Sequence, residues 1–220
     1  MVRMSDIIPD IKVEAPECHT GLIQNRLIAT LRHFCKETYY WRYELPAITL
    51  LAFMEQAPST YFYTLSIPDN SEILAIDELI FEHRPLKMKS RAWLDENLPQ
   101  WRESTGEPRY FIMQQNGDIR FVPASDRIRP IAVTGTVILQ PGRSSTEIDD
   151  GLMRYDRCLI AGTLSRLLMM ANKAWTDADR SQVYQSEYIE GLSQAKNMVM
   201  RDFSDGYEVL AKRSWLHEYK

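Results

Sequence analysis

Residues 90–113, SRAWLDENLPQWRESTGEPRYFIM, gather two tryptophans, four carboxylates and three arginines within 24 positions. Acids beside tryptophans line many sugar-processing sites, and a cell-wall or polysaccharide hydrolase would use Glu103, Glu107 or Asp95 in this way. Spacing weighs against it. Asp95 and Glu96 are adjacent on a predicted helix, so their side chains diverge by about 100° and cannot share a site. Glu103 and Glu107 lie in the loop beyond, and nothing sets a pair of acids facing each other across the roughly 5–10 Å of a glycosidase cleft. A solvated polar face accounts for the acids. Trp93 and Trp101 bracket a prolyl break, where two large apolar side chains would pin a short helix onto a sheet.

Cys18-His19 and His33-x-Cys35 look like two halves of a metal site. If both lie on one helix, the fourteen-residue separation of the histidines amounts to about 21 Å at 1.5 Å per residue, whereas one zinc holds its ligands at about 2.0–2.3 Å. The chain has no G-x-S-x-G elbow, no phosphate-cradling glycine loop, no H-E-x-x-H and no Cys-x-x-Cys. No catalytic, cofactor-binding or metal-binding residue is assigned.

Around these residues the composition is that of a globular chain: 220 residues, 45% hydrophobic, 25% charged, formal net charge −4. Acids and bases are interleaved, without the basic stripe of a duplex-DNA reader. There is no signal peptide at the start and no apolar run long enough for a membrane span. Three sparsely placed cysteines, Cys18, Cys35 and Cys158, fit small buried hydrophobes kept reduced in a cytoplasm.

The elements follow from periodicity. Residues 1–15 carry Pro9 and no sustained repeat, so they read as an extended N-terminal arm. Ile23, Leu27, Leu31, Phe34, Cys35 and Thr38 form one face of a helix over about 17–38. Residues 39–140 alternate as about six short strands, among them EILAIDELIFEH turning into a short LKMK partner and two strands flanking Asn116-Gly117, a tight-turn dipeptide. Ser90 is placed to cap the short helix RAWLDENL, which Pro99 stops. Helical periodicity returns over about 150–171, with Asp149 and Asp150 at its start. It returns again over 177–203, capped by Thr176 or Asp177 and carrying Val183, Tyr184, Tyr188, Leu192, Ala195 and Val199 on its apolar face. The predicted fold is α+β: an antiparallel bundle of three long helices, an inserted block of about six mostly antiparallel short strands, and a C-terminal tail. Residues 16–203 form one domain on this reading, with 204–220 as the tail.

Three ordered blocks then carry a resemblance: FCKETYYWRYELP at 34–46, RPLKMKSRAWLDENLPQWRESTGEPRYF at 84–111 and NGDIRFVPA at 116–124, followed by two closing helices. The pattern resembles the adaptor, or head–tail connector, proteins of tailed bacteriophages, also called head completion or tail tubular-type proteins. The likeness spans roughly residues 17–203, and TGEPRYF before an Asn-Gly hairpin is its most telling block. The resemblance implies a structural protein rather than an enzyme. It implies a homo-oligomeric ring, commonly of twelve copies, that sits beneath the portal protein and joins it to a tail or nozzle protein. DNA would pass through the central channel without specific binding. No cofactor and no membrane would be involved. The protein would be made in the host cytoplasm and reside in the virion neck. Other virion rings, such as stoppers and tail terminators, tend to be smaller and richer in strands.

Family members dock on the portal with their C-terminal segment, here SDGYEVLAKRSWLHEYK, residues 204–220. Tyr207, Val209, Leu210, Trp215, Leu216 and Tyr219 would anchor it, and Lys212 and Arg213 would meet acidic groups. The alternative is a tail folded back on its own subunit. Residues 1–15 match nothing in the family pattern, and the loops 54–60 and 102–107 are candidate contacts for the next tail component.

Overall fold

The computed structural model describes residues 2–50, 62–114, 117–125 and 131–204. In chain order the first elements are β1 (Val2–Arg3), α1 (Ile8–Glu14), α2 (Thr20–Thr38), β2 (Arg42–Leu50) and β3 (Ser71–Phe81). Next come β4 (Arg84–Pro85), β5 (Lys87–Met88), α3 (Arg91–Asn97), β6 (Thr105–Gly106), β7 (Tyr110–Met113), β8 (Ile119–Val122) and β9 (Ala124–Ser125). The chain closes with β10 (Ile131–Pro141), β11 (Glu147–Ile148), α4 (Asp156–Leu168) and α5 (Ala178–Ser204). It divides into two compact units, Met1–Trp41 with Pro141–Lys220, and Arg42–Gln140.

In the first unit, α2 buries Ile23, Leu27, Leu31, Phe34 and Cys35 along one face. His19 caps it, its Nδ1 accepting the Gly21 N–H at 3.1 Å, and Tyr39 ends it in the left-handed region at φ 52°. The buried hydroxyls of Thr30 and Thr38 donate back to the carbonyls of Arg26 and Phe34, at 2.9 and 2.8 Å, which removes the cost of burying them. α4 packs on both α2 and α5 and is buried almost all round, from Cys158 and Leu159 to Leu167 and Leu168. The aromatic rings of Phe34, Tyr40 and Tyr155 pack together, with Tyr155 5.1 Å from Phe34 and 5.2 Å from Tyr40. All three cysteines are free and buried; burial pushes the Cys35 thiol up to about 12 and the Cys158 thiol to about 11.

The expectation of three long helices is corrected here. Among the described residues there are five α-helices and eleven strands, the fold remaining α+β. Residues 150–155, expected to open a long α-helix, form a tighter 3-10 helix capped by the Asp149 carboxylate on the Gly151 N–H at 3.0 Å. α4 therefore has only 13 residues. The region expected to be an extended arm holds a 3-10 turn at Met4–Asp6 and then α1. Pro9 sits in the first turn of α1, where a missing N–H costs nothing. Met4, Ile7, Ile8, Ile11 and Ala15 are buried, α1 packing on α2 and α4, while β1 pairs antiparallel with β11.

In the second unit a four-stranded sheet runs β2-β10-β3-β4. β10 joins strands far apart in sequence, pairing antiparallel with β2 from Ile131↔Leu50 to Ile138↔Arg42, with an irregularity between Val133 and Gly135. A Cβ at Gly135 would lie 2.3 Å from the Glu78 carbonyl oxygen, so only glycine lets β10 approach β3 this closely. Arg42 bridges to Asp77 at 2.8 Å. The hairpin partner of β3 is β4, through a two-residue turn in which Glu82 and His83 both have positive φ. Lys87–Met88, expected to pair with β3, instead lies parallel to β7, and β6 and β9 are also parallel. The predicted hairpin forms, β7 pairing with β8 from Tyr110↔Val122 to Met113↔Ile119. Gly117 takes φ 89° in its turn, and Asn116 lies outside the described residues.

Candidate functional site

Ser90 caps α3 by accepting the Trp93 N–H at 3.1 Å, and the helix stops before Pro99, as the sequence indicates. This sets Trp93 and Leu94 over β7 and β8. Leu94, Trp101, Ile112 and Val122 form a buried cluster with Trp93 and Tyr110 packed against it. The Trp101 indole donates to Asp95 at 2.8 Å, and Arg102 bridges to the same carboxylate at 2.7 Å. Hydrogen bonds from Arg102 and then Trp101 hold the Asp95 carboxyl below the usual carboxylate range. Arg102 and Arg120 lie on the Trp101 ring, 4.5 and 4.9 Å from its centroid, and Arg120 donates to the Arg102 carbonyl. Glu107 is bound by Arg84 at 3.3 Å, while Glu103 is exposed in the turn after Trp101.

The structure thus brings Asp95, Trp101 and Arg102 together as a bracket that fastens α3 to its following turn. Glu107 is held by Arg84 instead of joining this bracket. A carboxylate whose charge is spent on an arginine and an indole is a poor proton donor at neutral pH, since a general acid needs its pKa raised.

A second polar cluster ties the helices of the first unit. His33 Nδ1 lies 2.8 Å from the Tyr188 hydroxyl. Arg166 donates to Thr30 Oγ1 and to the Gly162 carbonyl, with its guanidinium 5.6 Å from the Tyr188 ring centroid. Lys196 meets Glu37 at 2.6 Å. Burial, and then the Arg166 charge, lower the His33 pKa; burial pushes Tyr188 up to about 12. The cluster holds α2, α4 and α5 in register. Among the described residues no group of three or more His, Cys, Asp or Glu could hold a metal ion, and no helix is long and apolar enough to cross a membrane.

α5 is buried along a narrow seam at Ser181, Tyr188 and Ala195, seven residues apart. Asp177 caps its first turn by accepting the Arg180 N–H at 3.0 Å. Val183, expected on the apolar face, is instead 58% exposed, and Ile189, Met198 and Met200 are also exposed. The missed signal is the heptad spacing: a seam through Ser181 and Tyr188 turns Val183 outward. The residues assigned to docking, Tyr207, Val209, Leu210, Lys212, Arg213, Trp215, Leu216 and Tyr219, lie outside the described residues.

The sequence matches the family model described as SU10 adaptor protein over residues 25–210, from within α2 past the end of α5. The chain belongs to the SU10 adaptor protein family. No curated protein is a significant match to it. The adaptor's match takes in the whole of the second unit, α4 and α5, so both the strand-rich unit and the helical unit are part of the family pattern.

Proposed function

We propose that this adaptor is a non-enzymatic component of a tailed-phage virion that forms a ring beneath the portal, commonly of twelve copies, and joins the DNA-filled head to the tail or nozzle. The family match over residues 25–210 carries the reading. It is supported by the 90–113 region, where Asp95, one of the acids a hydrolase would use, is bound by Trp101 and Arg102 and fastens α3 to its following turn, while Trp101 is buried and Trp93 packs against the same cluster. A channel built from copies of an acidic chain, −4 each, repels the DNA backbone and lets it pass without adhering.

The tail, residues 204–220, is the proposed portal-docking segment, through Tyr207, Val209, Leu210, Trp215, Leu216 and Tyr219, with Lys212 and Arg213 meeting acidic groups. It follows directly on α5, whose last turns expose Met198 and Met200. Deleting residues 206–220 is expected to leave a folded protein that no longer joins portal-bearing heads, as measured by co-sedimentation. Full attachment of the truncated adaptor rules out the tail as the docking element.

A further inference from the structure

The outward ridge of α2 and that of the middle of α5 carry opposite charge. Arg32 on the first also donates to the Pro141 carbonyl at 2.7 Å, and Glu37 and Lys196, just beyond these stretches, pair with each other. Residues 18–36 contain Arg26, Arg32 and Lys36 and no acid, whereas residues 181–195 contain Glu187 and Glu190 and no base. The outward ridge of α2 runs through Leu22, Asn25, Ala29, Arg32 and Lys36, spaced three, four, three and four, all exposed or half-buried. That of α5 runs through Val183, Glu187, Glu190 and Gln194, spaced four, three and four, all exposed. Both ridges lie away from the buried seams of their own helices. They are also similar in length, about 21 Å and about 16 Å at 1.5 Å per residue.

We propose that the α5 ridge seats against the α2 ridge of a second copy of this chain. The occupant follows from charge complementarity: the acidic ridge needs a basic helical face of matching length, and each copy carries one. Val183 supplies apolar contact, and Ala29 gives α5 a place to approach closely. Two different faces meet, so the contact is heterologous and repeats, each copy keeping one ridge for the next neighbour, which is how closed rings form. One ridge on another buries less than the roughly 800 Å² per partner of a stable complex. Association is therefore weak between two copies and strengthens when the ring closes or a portal templates it.

The inference rests on the ring reading and adds the face used. Its test is the mass of the full-length adaptor by light scattering over a concentration series, alone and with portal protein. Glu187→Lys/Glu190→Lys is expected to weaken self-association about tenfold or more, and adding Lys36→Glu to restore part of it. Circular dichroism controls for folding, which these exposed positions should leave unchanged. If the double charge reversal assembles as the unsubstituted protein does, the α5–α2 contact is wrong while the ring stands. If the unsubstituted protein never exceeds a monomer, even with portal, the ring reading fails and the contact with it.

Discussion

Gly162, near the middle of α4, is a place where local and tertiary forces oppose each other. Helix propensity alone says that Gly162→Ala should stabilise α4 by about 1 kcal/mol, and a buried methyl adds about 0.8 kcal/mol. Tertiary packing says the opposite. A Cβ at Gly162 would lie 2.5 Å from Tyr188 Cδ2 and 2.8 Å from both Tyr188 Cε2 and Thr30 Cγ2. These are about 1 Å inside optimal carbon–carbon separation, on two sides at once. Neither neighbour is free to move: Tyr188 is held by His33, and Thr30 donates to the Arg26 carbonyl and accepts from Arg166. Overpacking costs about 1–3 kcal/mol or more, and yielding adds about 1 kcal/mol for each hydrogen bond disturbed. Costs exceed gains, and the expected net is a loss of about 2 kcal/mol. For a chain of this size that lowers the thermal midpoint by about 4–8 °C, measurable by circular dichroism at 222 nm. In a Tyr188→Ala background most of the clash is gone, so the same glycine substitution should become neutral or stabilising. A midpoint unchanged or raised by Gly162→Ala alone would refute the packing argument, because propensity would then have won.

Two further predictions concern the scaffold. Trp101→Ala empties a site only 4% exposed and should cost about 3–5 kcal/mol in urea unfolding, while Asp95→Ala on the exposed side of the same contact should shift the midpoint far less. Stability should also fall with acid. Both His33 and Glu37 have depressed pKa values in the fold, His33 chiefly through burial and Glu37 chiefly through its hydrogen bond from Lys196. The unfolded chain therefore takes up protons first, and stability present above the ordinary histidine value of about 6.5 is lost as pH falls through the depressed folded one. Glu37 adds a second loss below its ordinary 4.5. The melting temperature should decline between pH 7.5 and 5, and His33→Gln should flatten that decline; an equal slope in the variant would remove His33 from the account.

Much of the local structure was legible because it rests on contacts only a few residues apart. The Ser90 cap, the Asp177 cap, the α2 face and the β7–β8 hairpin each follow from side-chain chemistry or periodicity within one or two turns. The packing role of Trp93 and Trp101 was readable in the same way, because two large apolar side chains bracket a prolyl stop. α1 was missed because seven residues give too short a period to recognise, and Pro9 reads as a breaker unless its first-turn position is known.

The sequence by itself determined the α+β composition, the course of α2 and α5, the Ser90 and Asp177 caps and the divergence of Asp95 from Glu96, all set by short-range spacing. Only the tertiary structure decided the strand pairings beyond the β7–β8 hairpin and which face of α5 is covered. β10 lies between β2 and β3, and β5 runs parallel to β7, because pairing is chosen by long-range burial rather than by the nearest turn. The heptad seam that turns Val183, Glu187 and Glu190 outward depends on where α4 lies, and Gly162 and Gly191, which admit Tyr188 and Cys158 against the helix backbones, are what let α4 and α5 close on each other.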